Sequence, residues 1–140
     1  MKVLALDYGK RRTGIAVSDV TGTLARPLGL VERVTSERGM AELCAIIERE
    51  APELVLVGMP LTLRGEHGPQ AAETAAFVTL LKGRCRRPIR TEDERFTTKV
   101  ARQVAEPARR RVPDDPAAAA VLLQGYLDRT AAGPPSGAGG

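Results

Sequence analysis

A chain of 140 residues with 43% hydrophobic and 27% charged residues supports one globular domain with a real core, not two. Two cysteines without CxxC spacing and a single histidine, His67, exclude a disulfide scaffold and leave a zinc site short of ligands. The apolar run before Asp7 is too short for a signal peptide, and no stretch approaches the ~20 residues of a membrane span, so the expectation is a cytoplasmic protein that does not engage membranes.

Residues 3–7 read as a buried strand and 13–19 (TGIAVSD) as a second, joined by a short link containing Gly9, which predicts a hairpin. A third strand is expected over 28–34, entered after Pro27. Ser36 is a candidate cap for a helix in which Met40, Leu43, Cys44, Ile46 and Ile47 keep helical spacing and Pro52 marks the stop. Residues 53–57 (ELVLV) form a near-continuous apolar strand, as in a sheet covered on both faces. A loop leads to a helix over 69–82 with proline at its start, then a short strand over 89–93. Thr97 or Thr98 caps a helix running to Glu106, and the last helix spans 116–130. The domain thus occupies 1–130, and 131–140 (AAGPPSGAGG) has the composition of a disordered tail. An antiparallel meander followed by alternating strands and helices implies an α/β domain, a mixed five-stranded sheet with helices packed on it. Ligand sites in such sheets gather at the carboxyl ends of the parallel strands.

Charge is uneven along the chain. Residues 82–111 carry eleven Lys or Arg against four acids, Glu92, Asp93, Glu94 and Glu106. A basic segment enclosing an acidic knot is what a phosphate-attracting surface around a cation site would look like. Aromatic residues are 3% of the chain with no Trp, so backbone and shape recognition fit better than stacking on unpaired bases.

Phosphodiester hydrolysis without a nucleophilic side chain needs hard divalent ions, Mg2+ or Mn2+, held by carboxylates from separate elements. Asp7, at the end of an apolar strand, suits the central ligand, with Glu94 and Asp115 converging on it. Each has a plainer reading: a turn residue before Gly9, a surface ion pair with Arg95 or Lys99, and a helix N-cap before Pro116. Lys10, Arg11 and Arg12 lie just past Asp7 and are candidate clamps for a phosphate. Arg95, Thr97, Thr98 and the basic run Arg109, Arg110 and Arg111 are further candidate nucleic-acid contacts.

LALDYGKRRTGIAVSD, AxPL at Ala25 to Leu28, LVLVGMPLTLRGEHGPQA, DERFTT and DDPAAAAVLLQGYLD, in order and register across nearly the whole chain, together resemble the YqgF (RuvX) family of Holliday-junction resolvases. The resemblance implies an RNase H-like fold with a carboxylate metal site on Asp7, Glu94 and Asp115. It implies a nuclease using Mg2+ or Mn2+ on a four-way DNA junction or on the 5′ end of pre-16S rRNA, with pre-ribosomal particles as a partner. A homodimer would suit a symmetric junction. Arg64, where the family often has Asp, Phe96, where Leu is usual, and Pro116 depart from the pattern without removing a ligand. Two other functions share these features. DYGKRRTG also fits the DxGxxxxG phosphate hairpin of actin-like phosphotransferases, which clasp ATP between two domains where this chain has one. A non-catalytic ribosomal-RNA-binding assembly factor would have the same charge and fold.

Overall fold

Val3–Asp7 (β1) and Leu54–Met59 (β4) are buried at every position, so both form the middle of a layered structure. In the computed structural model, which describes residues 1–60, 68–93 and 116–132, these strands lie side by side and parallel. Arg12–Ser18 (β2) returns antiparallel along β1, and Ala25–Glu32 (β3) pairs antiparallel with β2. Ile89–Asp93 (β5) adds parallel to β4, giving the order β3-β2-β1-β4-β5. The mixed five-stranded sheet and its opening meander are as expected.

Both faces of the sheet are covered. Glu37–Glu50 (α1) and Pro69–Lys82 (α2) bury Met40, Leu43, Ile47, Phe77, Val78 and Leu81 against Leu4, Leu6, Val55 and Val57 on one face. Pro116–Ala132 (α3) packs Ala119, Leu122, Leu123, Tyr126 and Leu127 against Val3, Ala5 and Leu56 on the other. The alternation along β1 therefore assigns Leu4 and Leu6 to one layer and Val3 and Ala5 to the other. Among the described residues no helix is long and apolar enough to cross a membrane.

Several boundaries differ from the sequence expectation. The third strand begins at Ala25 rather than 28, with Pro27 inside it and paired with Ala16 at a register shift. Proline is tolerated there because β3 is an edge strand and the shift marks a bulge. The last helix continues through Ala131 and Ala132, so the expected tail loses its first two residues; 133–140 lie outside the described residues, as does the helix expected from Thr97 or Thr98 to Glu106. β2 and β4 shift by one or two residues at their ends.

The corner between β3 and α1 is tightly built. Ser36 caps α1 by accepting from the Gly39 N–H (3.0 Å), and donates its hydroxyl to the Arg33 carbonyl (2.7 Å). Gly39 lies against that same carbonyl: a Cβ there would sit 2.1 Å from the Arg33 oxygen. Gly39→Ala gains up to ~1 kcal/mol of helix propensity but forces α1 off a backbone atom that cannot rotate away. The expected net result is a loss of about 2 kcal/mol or more, read as a fall of roughly 5–10 °C in Tm.

Candidate active site

Because β1, β4 and β5 run parallel, their carboxyl ends share one edge of the sheet, where ligands of such folds bind. Asp7 is the last residue of β1, at that edge. Alternation places it on the α3 side, continuing the line of Val3 and Ala5. It is 7% exposed, in the company of fully apolar strand residues. Carboxylates are rarely so buried unless another group compensates the charge.

Leu6 is level with Val57, and Val57 with Thr91, which sets Asp7, Gly58 and Glu92 in one row across three strands. Gly58 contributes no side chain to that row. Glu92 is engaged across the sheet face by Arg129 of α3. The next acid, Asp93, closes β5, and Glu94 follows it in sequence but lies outside the described residues. The last turns of α3 line a cavity of about 380 Å³ with Met1, Val3 and Thr23, at the amino end of β1. Asp115, immediately before Pro116, also lies outside the described residues, as do Arg95, Thr97, Thr98, Arg109, Arg110 and Arg111.

Of the predicted trio, Asp7 alone is described, and among the described residues no three acids, His or Cys gather closely enough to hold an ion. The chemistry of Asp7 suits Mg2+ or Mn2+: a hard carboxylate donor held rigidly at a strand end. The thiols do not compete for the role. Cys44 and Cys85 pack against the core on the α1 and α2 side, and burial, followed by the neighbouring Cys85, pushes the Cys44 thiol up, away from the thiolate that ligates or attacks.

The link from β1 to β2 is anchored from within and from α2. Thr13, fully buried, both donates its hydroxyl to the Gly9 carbonyl and accepts from the Gly9 N–H, each at 3.4 Å. Tyr8 stacks on Phe77 with ring centroids 4.8 Å apart and an interplanar angle of 18°. Burial, and then the charge of Glu73, hold the Tyr8 phenol above its usual range. Lys10 pairs with Glu73 at 3.3 Å, four residues before Phe77 on α2. The partners on α2 were not visible in the sequence, since they lie more than sixty positions from the link.

The basic residues divide between the two edges. Arg11 and Arg12 are exposed beside Asp7's end of the sheet, and the Arg11 carbonyl accepts from the Arg33 N–H at 2.8 Å. The basic run of 82–90, expected to surround the cation site, instead starts at the opposite edge: the Pro88 carbonyl accepts from Val55 N–H near the beginning of β4. There Arg87 is occupied by Glu48 and the Pro52 carbonyl. α2 descends to that edge before β5 climbs back, and linear charge density cannot reveal this.

The comparisons agree with this geometry. A model of the RuvX family, described as "Holliday junction resolvase", matches residues 1–129. Relatives named "Putative pre-16S rRNA nuclease" include one from Chloroflexus aggregans, 40% identical with 90% of this chain and 92% of the relative covered. Another, from Symbiobacterium thermophilum, is 39% identical with 96% and 97% covered. Among solved structures, Thermus thermophilus RuvC in complex with a Holliday junction matches with a TM-score of 0.61 at 20% identity, over 90% of this chain and 92% of that one. The Fowlpox virus resolvase with its junction DNA matches with a TM-score of 0.53 at 12% identity, over 91% and 97%. At such identities these structures speak for the fold, which is RNase H-like. The actin-like reading of the hairpin finds no support in a match of this extent. With a family match over residues 1–129, relatives near 40% identity and a buried aspartate at the carboxyl edge of the central strand, the chain belongs to the RuvX family of Holliday junction resolvases, phosphodiester-cleaving hydrolases.

Proposed function

We propose that this chain is a divalent-metal-dependent endonuclease of structured nucleic acid, acting in the cytoplasm on the 5′ end of pre-16S rRNA or on four-way DNA junctions. The observation that carries the reading is the buried Asp7 carboxylate at the carboxyl end of β1, bordered by the exposed Arg11 and Arg12. Asp7, Glu94 and Asp115 would hold Mg2+ or Mn2+. When bound, such ions lower the pKa of the attacking water and stabilise the leaving oxygen.

The chain's own residues divide the remaining work. Asp7 presents its oxygens from a strand end that cannot shift without disturbing the core, so the ligand geometry is fixed before substrate arrives. Arg11 and Arg12 bind backbone phosphates, joined by Arg95, Thr97, Thr98 and the run Arg109, Arg110 and Arg111. Lys10 serves the same surface when it leaves Glu73; an exposed pair of this kind is worth no more than about 1 kcal/mol, so a phosphate can replace the carboxylate. The curated relatives' names favour the ribosomal precursor, and the family's description favours the junction.

The test is to incubate the purified chain, with Mg2+ or Mn2+, with a labelled four-way DNA junction and a labelled RNA spanning the pre-16S 5′ region. Asp7→Asn is run beside it on each substrate. Cutting of either by wild type and not by the variant supports the proposal. Tight binding to the RNA with no cutting of either would favour the assembly-factor reading.

A further inference from the structure

We infer that Arg33 is a nucleic-acid backbone contact, which together with Arg11 and Arg12 forms the cationic surface that holds the substrate strand beside Asp7. The inference rests on the nuclease reading above and assigns it a residue outside the basic runs of the sequence.

Arg33 occupies the corner between β3 and α1 at φ 47, in the left-handed region. That conformation costs a non-glycine residue roughly 1–2 kcal/mol and is the natural place for Gly or Asn. The backbone there is held without any help from the side chain. The Arg33 N–H donates to Arg11 O at 2.8 Å, its carbonyl accepts from Ser36 N at 2.9 Å and from Ser36 Oγ at 2.7 Å, and Gly39 closes on it from α1. The side chain itself is exposed and makes no hydrogen bond or ion pair among the described residues. A long cation thus stands where a small residue would fold more easily, which points to a use outside the fold.

Its neighbours share this state. Arg11 and Arg12 are exposed and also make no ion pair among the described residues. The hydrogen bond from Arg33 to Arg11 and the register of Arg12 with Glu32 bring three guanidinium-bearing residues to one corner of the sheet. Glu32 is exposed and pairs with none of them, so the corner keeps a positive excess. β3 lies two strands from β1, about 10 Å across the sheet. Arg33 also lies three residues past Leu30, which is level with Asp7 through Gly14, so the corner meets the backbone a few nucleotides from a phosphate at Asp7. The planar fork of Arg is suited to that partner.

The experiment measures binding by fluorescence anisotropy, with EDTA present so that no cleavage intervenes. The probes are a DNA duplex of about 20 base pairs, a four-way DNA junction and an RNA stem-loop, each titrated from about 50 to about 200 mM salt. Arg33→Asn keeps the left-handed backbone accessible, so its Tm should not fall. Arg86→Gln removes the same charge from an exposed site on the turn between α2 and β5, at the far edge of the sheet. Arg33→Asn should weaken binding severalfold, about equally for different sequences, and flatten the duplex slope of log K against log salt by roughly 0.9, while Arg86→Gln leaves the slope unchanged. An unaltered slope in Arg33→Asn, or an equal change in Arg86→Gln, overturns the assignment. If wild type cuts and binds but Arg33→Asn is normal, the Arg33 inference alone falls. If wild type binds none of the probes, the nuclease reading falls with it.

Discussion

Asp7→Asn is expected to slow cleavage by about a thousandfold while leaving the metal-free protein at least as stable as wild type. The side chains have nearly the same shape, so packing at the end of β1 is kept. What changes is charge and donor quality: Asn offers one neutral oxygen where Asp offers two that share a negative charge. Metal-assisted stabilisation of a transition state is worth several kcal/mol, and each ~1.4 kcal/mol is tenfold in rate. The stability arm follows from the proposed carboxylate site. Carboxylates that share a cation repel one another when it is absent, and the neutral amide relieves that repulsion. Steady-state cleavage and urea or thermal unfolding in EDTA measure the two arms. A variant that cuts normally but unfolds more easily would make Asp7 a turn residue before Gly9.

The second large effect concerns Asp115, whose two readings make different demands. As the N-cap of α3 it needs an oxygen that accepts a backbone N–H, and Asn serves as well as Asp. As a metal ligand it needs the charge. Asp115→Asn therefore separates the roles: cleavage is expected to fall by roughly a hundredfold or more, about 3 kcal/mol in the barrier, with Tm unchanged. Asp115→Ala should lose cleavage and also about 1 kcal/mol of stability, because it removes the cap as well. Normal cleavage by Asp115→Asn would leave the residue as a cap alone.

Much of the scaffold was legible because local signals and tertiary demands coincide. The apolar run of β1 ending in Asp7, the Ser36 cap with Pro52 two residues beyond α1, and Pro69 at the first turn of α2 each state an element's type and limits together. Sequence reasoning failed where a neighbour overrode the local signal. Pro27 reads as a strand boundary, yet an edge strand with a bulge absorbs it. The two alanines after Thr130 look like the start of a Gly- and Pro-rich tail, yet they are good helix formers and extend α3. For the site, the apolar run before Asp7 showed that it closes a buried strand, which is where the structure has it. The hold of α2 on the β1–β2 link through Phe77 and Glu73, and the separation of 82–90 from the carboxyl edge, follow from crossovers that residue spacing does not encode. Arg33 escaped notice for a similar reason: it is isolated in sequence and joins Arg11 and Arg12 through one backbone hydrogen bond.

Whether Asp7 anchors a divalent cation can be tested without knowledge of the substrate, by the thermal unfolding of wild type and Asp7→Asn with and without Mn2+. Only the folded chain assembles the ligands, so wild type at about a hundred times the dissociation constant should gain about 2.7 kcal/mol, a rise of several degrees in Tm. Asp7→Asn should gain little at the same Mn2+ concentration. An equal rise in both proteins, or none in wild type, would contradict the claim.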